Sequence, residues 1–213
     1  MIGQDGAGKV AAPMKAGLVA AGAVGAAGLW WRRHPSACPY SQRFWVEAPH
    51  PFITRSRLRE VLAPVPGERI LEIGPGTGYY SLPVARWIAP DGVLEIFDLQ
   101  QDMLNHTLRR AEREGINNVA ARQGDARQLP YEDHRFDGAF LTVVLGEIPD
   151  QVAALRELAR VLKPTGRLVV GELFGDPHWV SARALRTRGQ QAGFRFEERV
   201  GGLPGYFARL RPV

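Results

Sequence analysis

The sequence predicts an α/β protein, a doubly wound, mostly parallel seven-stranded sheet preceded by an N-terminal hydrophobic helix. Three observations carry that expectation. Past Pro64, short β-branched runs alternate with helical periodicities, the pattern of a parallel sheet wrapped by helices. The run 136–144 is apolar nearly throughout, as a strand covered on both faces should be. Between the first such strand and the first helix lies a glycine-rich turn, Gly74-Pro75-Gly76-Thr77-Gly78.

The elements follow in order. Ile53, Leu58, Val61 and Leu62 give a short amphipathic helix, with Arg55, Arg57 and Arg59 on its solvated side. Strands are expected at 69–73, 93–98, 119–123, 136–144 and 167–172. Helices fill the intervals, one up to Ala89 and one over 101–114 with Leu104, Leu108 and Ala111 on one face. Another carries the stripe Leu155, Leu158, Ala159 and Leu162 and stops at Lys163-Pro164-Thr165-Gly166. A helix over 181–191 ends at Gly193, and strands at 194–200 and 206–211 close the chain.

At 213 residues and 45% apolar, the chain suits one domain with an appendage and is too apolar to be wholly disordered. The natural divisions are a tail at 1–34, a linker and flap at 35–64, and a main domain at 65–213. Cys38 is the one cysteine, so neither an intrachain disulfide nor a cysteine-based zinc site can form. His50, His106, His134 and His178 show no metal spacing either, and no metal is expected. Residues 1–64 hold eight Lys/Arg against three Asp/Glu, and residues 65–213 hold nineteen of each. The positive excess therefore belongs to the N-terminal part, and no nucleic-acid partner is expected.

Residues 16–31 are uncharged, mostly Ala and Gly, and end in Leu29-Trp30-Trp31 before Arg32-Arg33. A helix of that length spans roughly 24 Å, short of the roughly 30 Å hydrocarbon core. Two Trp followed by two Arg is nonetheless the order expected where a helix meets the cytoplasmic interface. A spanning or interfacial anchor, a cleaved export signal and a loosely ordered tail all fit. The anchor reading places residues 16–33 at the cytoplasmic side of the inner membrane. Without it the chain is cytoplasmic.

The glycine turn carries the chemistry. Glycines permit φ > 0 and close approach of a ligand to the backbone, and a following helix offers free N–H groups. Tyr79 stands where the nicotinamide fingerprint needs its third glycine, and the Lys-Ser/Thr of a phosphate loop is missing. Glu72 precedes the loop. Asp98 ends the second strand, where a carboxylate accepts both hydroxyls of a ribose. Met103 can lie against a flat adenine ring, and Gly124-Asp125-Ala126 ends the third strand where an exocyclic amine would sit. Together these residues describe a pocket for a nucleoside with an amino-acid tail.

Residues 65–175 resemble a class I S-adenosylmethionine-dependent methyltransferase of the broad group that acts on small molecules and lipids. Leu71–Gly78 matches the first motif, and Asp98-Leu99-Gln100-Gln101-Asp102-Met103-Leu104 resembles D-x-S-x-x-M-L with Gln100 for Ser. Gly124-Asp125-Ala126 with Leu129-Pro130 resembles the adenine-contacting motif, and Phe136-Asp137 with Val144–Asp150 resembles the fourth. Leu162-Lys163-Pro164-Thr165-Gly166 resembles L-K-P-G-G. The resemblance implies S-adenosylmethionine as cofactor and strand order 3-2-1-4-5-7-6, with the last strand antiparallel. It also implies that Glu72, Gly74, Gly76, Thr77 and Gly78 hold the methionyl end and Asp98 the ribose. Leu99 and Met103, with Asp125 and Ala126, would then complete the adenosine site.

The acceptor would lie beyond the fourth strand, which makes Glu147 and Glu172 the candidate general bases. The [N/D]-P-P-[Y/F] signature that grips a planar amide is absent, since Leu141-Thr142-Val143-Val144 stands there. The stretch from Phe174 to Val180 is short, so the lid is expected from residues 35–60, with Phe44, Trp45 and His50 as its roof. The acceptor class expected is a small molecule or a lipid. The alternative is a non-catalytic scaffold that binds the cofactor.

Overall fold

The computed structural model describes residues 36–42 and 51–213, which lie in one compact unit, Ser36–Val213. The apolar segment 16–31 with Trp30 to Arg33, and the roof residues Phe44, Trp45 and His50, fall outside the described residues. Among the described residues, no helix is long and apolar enough to cross a membrane.

A 3-10 turn (Tyr40–Gln42) precedes helix α1 (Arg55–Leu62), which is capped by Thr54 Oγ1, the acceptor of the Arg57 N–H at 3.3 Å. Then follow β1 (Arg69–Ile73), α2 (Ser81–Ile88), β2 (Val93–Asp98), α3 (Gln101–Arg113) and β3 (Val119–Gln123). The second half holds β4 (Phe136–Thr142), a 3-10 turn (Leu145–Glu147), α4 (Gln151–Val161) and β5 (Leu162–Leu173). It closes with α5 (Ala182–Gln191), β6 (Phe194–Gly201) and β7 (Gly205–Pro212). The seven strands lie in the order β3-β2-β1-β4-β5-β7-β6. The β1–β5 pairings are parallel, and β7 runs antiparallel to both β5 and β6.

Alternation of side chains along the strands builds two cores. Leu58, Val61 and Leu62 of α1 join Leu82, Val84 and Ile88 of α2 and Leu104 of α3 on one face, over Ile70, Ile96, Phe140, Val169 and Phe207. Leu155 and Leu158 of α4 and Leu185 of α5 cover the other face, over Leu71, Ile73, Phe97, Leu141 and Val170. The chain therefore winds one way from β1 and the other way from β4.

Two boundaries differ from those expected. Strand β4 stops at Thr142 because Val143 takes φ 58°, and its N–H donates to Gly171 O at 2.8 Å. Positive φ is costly for a β-branched residue and turns the chain out of the sheet. The stretch 163–166, expected as a helix stop, belongs to β5. Leu162 already pairs with Phe136, and the ladder resumes at Gly138 and Arg167, so the residues between bulge outward. Lys163 Nζ holds the bulge to Asp137 Oδ1 at 2.5 Å. The arginines of α1 are also less free than expected. Arg55 stacks on the Tyr79 ring, Arg59 lies over Trp87, and Arg57 donates to Phe52 O at 2.6 Å.

Arg167 staples α1 to the sheet. It is 6% exposed and pairs with both oxygens of Glu68, Nη1 to Oε1 at 2.7 Å and Nη2 to Oε2 at 2.6 Å. Its remaining donors reach the carbonyls of Leu62, Ala63 and Asp137. Truncation to Arg167→Ala strands a half-buried carboxylate and three carbonyls. It should cost about 3 kcal/mol in urea unfolding, and a loss under about 1 kcal/mol would show the pair to be dispensable.

Candidate functional site

At the end of β1 the glycine turn takes φ +69° at Gly74, +54° at Gly76 and +83° at Gly78. The Gly74 N–H donates to Phe97 O at 2.8 Å, which fixes the turn to β2. A Cβ at Gly74 would come within 2.4 Å of Val144 Cγ2, so the position rejects any side chain on two counts. Helix α3 supports the turn from behind. Thr107 Oγ1 donates to Gly76 O at 3.1 Å, and Arg110 Nη1 donates to Thr77 O at 2.7 Å. Helix α2 begins only at Ser81, so Thr77 to Tyr80 form a further turn rather than the first helical residues.

Alternation along β1 sends Glu72 to the α2 face, 3% exposed. Its Oε2 and the Thr77 hydroxyl are buried without a hydrogen-bond partner. Burial pushes the Glu72 carboxyl up to about 8; the Ser81 hydroxyl alongside offsets part of this, and Asp98 adds to it. At the end of β2, Asp98 is pushed up to about 6 by burial, against the pull of the Gln100 and Leu99 N–H groups. Its Oδ1 accepts from Gln100 N at 2.8 Å. A buried acceptor beside an open glycine turn suits a cationic ammonium, and a partly buried carboxylate at the strand end suits a diol. The residues present therefore fit S-adenosylmethionine.

On the adenine side, Met103 is 3% and Ala126 9% exposed, whereas Leu99 is 59% exposed. The structure brings Met103 and Ala126 into the core lining and leaves Leu99 at the rim. Asp125 is already partnered. Arg127 Nε donates to both of its oxygens at 3.0 Å and Nη2 to Oδ2 at 2.6 Å, which holds the carboxyl below its ordinary value. An exocyclic amine would have to share Asp125 with Arg127.

The two acceptor-side carboxyls stand at neighbouring strand ends. Glu172 is 1% exposed; its Oε2 accepts from Val180 N at 3.0 Å, and its Oε1 has no partner. Burial pushes it up to about 8, with Asp176 and Glu147 adding to the effect. Glu147, half-buried in the 3-10 turn, is also pushed up to about 8 by burial, with Asp176 and Asp98 contributing. The loop after β5 closes on this turn so tightly that a Cβ at Gly146 would meet His178 O at 1.7 Å. Tyr206 on β7 fixes the loop, its hydroxyl donating to Val180 O at 2.7 Å.

Three participants escaped the sequence reading. Asp176 carries no motif. Cys38 and Tyr40 belong to a strap, 36–42, that reaches the carboxyl ends of β2 and β4. The Cys38 N–H donates to Glu147 Oε2 at 3.3 Å, and the Tyr40 N–H donates to Gln100 Oε1 at 3.2 Å. Gln100 Nε2 donates back to Cys38 O at 2.9 Å. The one signal available was Gln100 itself, standing where the resembled motif has Ser.

Comparison with known proteins agrees with this geometry. Residues 70–166 match a family described as a methyltransferase domain. A demethylmenaquinone methyltransferase of Bacillus cytotoxicus is 29% identical over 115 residues, covering 54% of this chain and 48% of that protein. The ubiquinone/menaquinone biosynthesis C-methyltransferase UbiE of Vibrio parahaemolyticus is 38% identical over 113 residues, covering 53% of this chain and 43% of that protein. The chain thus spans about half the length of the curated relatives it matches. The crystal structure of a SAM-dependent methyltransferase from Aquifex aeolicus has the same fold, with a TM-score of 0.77 at 20% identity, covering 83% of this chain and 100% of that one. The domain match runs from β1 into the first residues of β5, and the seven-stranded sheet around it has the Rossmann-like methyltransferase fold.

Proposed function

We propose that this chain methylates a carbon of a small planar phenol with an apolar tail, a hydroquinone in class, using S-adenosylmethionine. The observation that carries this reading is the pair of carboxyls, half-buried Glu147 and buried Glu172, each held at about 8 beside the cofactor turn. A base of near-neutral proton affinity is matched to a phenol, whereas an ordinary surface carboxylate is too weak. The names of the relatives support the class, one referring to demethylmenaquinone and the other to a C-methyltransferase of quinone biosynthesis.

The cofactor supplies a methyl group already activated on a sulfonium sulfur. Glu72 and the glycine turn hold its amino-acid end, Asp98 its ribose, and Met103 and Ala126 its adenine. Glu147, nearer the surface, accepts the O–H proton of the phenol, which raises electron density on the ring carbon; once that carbon has taken the methyl from sulfur, its own C–H proton passes to the ring oxygen and restores the phenol. Glu172, deeper and with Oε1 unpartnered, keeps its proton and orients the second ring oxygen. The strap and the loop 174–180 keep water from the reacting centre.

Phe174, Leu203 and Phe52 are 56%, 67% and 45% exposed at the same end of the sheet, an apolar rim suited to the acceptor's tail. Arg57 lies beside Phe52, and residues 1–64 carry the chain's positive excess. These features support a meeting with the acceptor at an anionic bilayer surface on the cytoplasmic side, where the cofactor is made.

S-adenosylhomocysteine should bind the full chain in calorimetry. Gly74→Ala and Asp98→Ala should each weaken it by about tenfold or more. No binding by the unsubstituted chain would overturn the cofactor site. With a demethylated menaquinol as acceptor, turnover should rise with pH to a maximum near 8 and fall above it, because Glu147 must be ionised to take a proton while Glu172 must keep its own. Glu147→Gln should lower kcat by about 100-fold and flatten that rise. Cofactor binding without turnover on any hydroquinone favours the scaffold reading instead. In sedimentation with phosphatidylglycerol vesicles, the full chain should pellet, and the double substitution Phe174→Ser/Leu203→Ser should weaken pelleting. A chain that stays in the supernatant at low salt argues for a soluble acceptor.

A further inference from the structure

Gln100 occupies the position just before α3, where a side chain ordinarily caps the helix by accepting from its first N–H groups. Its side chain makes no such bond. The amide reaches back some sixty residues in sequence, accepting from Tyr40 N at 3.2 Å and donating to Cys38 O at 2.9 Å. A primary amide carries a donor and an acceptor side by side, so it can hold one backbone N–H and one backbone C=O together, here across the start of the 3-10 turn Tyr40–Gln42. Both ends of this pairing continue into the site. The Gln100 backbone N–H donates to Asp98 Oδ1, and the Cys38 N–H donates to Glu147 Oε2. Tyr40 adds a side contact, its hydroxyl 3.2 Å from His106 Nδ1 on α3. A single hydrogen-bonded path thus joins the ribose-end carboxylate to the acceptor-end carboxylate, and Gln100 is its central link.

We propose that Gln100 is a positioning residue that latches the strap Cys38–Tyr40 across the pocket and couples its closure to cofactor binding at Asp98. The proposal rests on the cofactor site described above, but not on the identity of the acceptor. When the strap is latched, Cys38 is half-buried and faces Glu147 and Asp176; burial and both carboxyls raise its thiol above the ordinary value. Released, the thiol meets water and its reactive thiolate forms at lower pH. Cys38 is the one cysteine of the chain, so its alkylation reports the strap alone.

The test measures the iodoacetamide reaction rate of Cys38 from pH 7 to 10 in the full chain, with and without S-adenosylhomocysteine. Calorimetry of the same ligand and thermal unfolding accompany it. In the unsubstituted chain the ligand should slow alkylation several-fold. Gln100→Ala should speed alkylation about tenfold, move its pH midpoint down, abolish the ligand's protection and weaken ligand binding about tenfold, with Tm little changed. Gln100→Glu keeps the acceptor for Tyr40 and loses the donor to Cys38, so it should fall between the two. An alkylation rate and midpoint in Gln100→Ala equal to those of the unsubstituted chain would overturn the latch. Faster alkylation with unchanged ligand affinity would overturn the coupling. A chain that binds no ligand at all defeats the cofactor site, while the alkylation contrast still decides whether the strap is latched.

Discussion

The site depends on one topological constraint. Strand β1 lies between β2 and β4, and the connections from β1 and β4 leave toward opposite faces of the sheet. No helix can then cover the carboxyl end of β1, and a crevice opens there. The glycine turn occupies that crevice. Gly74 has no room for a side chain because Val144, just past the end of β4, already fills the space on its far side. The turn is thus wedged between the two strands whose divergence created it.

The crevice is lined with acids. Glu72, Asp98, Glu147 and Glu172 stand at the carboxyl ends of β1, β2, β4 and β5, and burial raises all four. Such carboxyls are stabilised as acids and cost stability once ionised. A ligand carrying positive charge offsets that cost on entering. Among the described residues, Arg167 pairs with Glu68, Arg110 with the back of the glycine turn and Arg127 with Asp125. The same desolvation holds Glu147 and Glu172 well above the ordinary carboxylate range.

Closure comes from both ends of the chain. The strap 36–42 approaches from the N-terminal side and the loop 174–180 from the C-terminal side, and both meet at the turn Leu145–Glu147. Glu147 therefore owes its burial to segments far from it in sequence, Cys38 lying 109 positions away.

The features legible before folding were local and periodic. Burial alternating every second or every third-to-fourth residue marked the strands and helices. The glycine spacing marked the turn, because positive φ is a property of single residues. The placement of Glu72 and Asp98 at the ends of β1 and β2 was legible because strand ends follow from the periodicity. Tertiary structure alone decided the rest. How far Glu147 and Glu172 rise above the ordinary carboxylate range depends on how completely other segments exclude water, which no local pattern records. The same holds for the bonds of Gln100 to Cys38 and Tyr40 and of Arg167 to Glu68, which the chain makes only once the sheet has formed. Even the pairing of Asp125 with Arg127, two residues apart, was missed, because it needs the backbone turn after β3 to bring both side chains to one side. Periodicity reports which face is buried; depth of burial and long-range partners are set by enclosure.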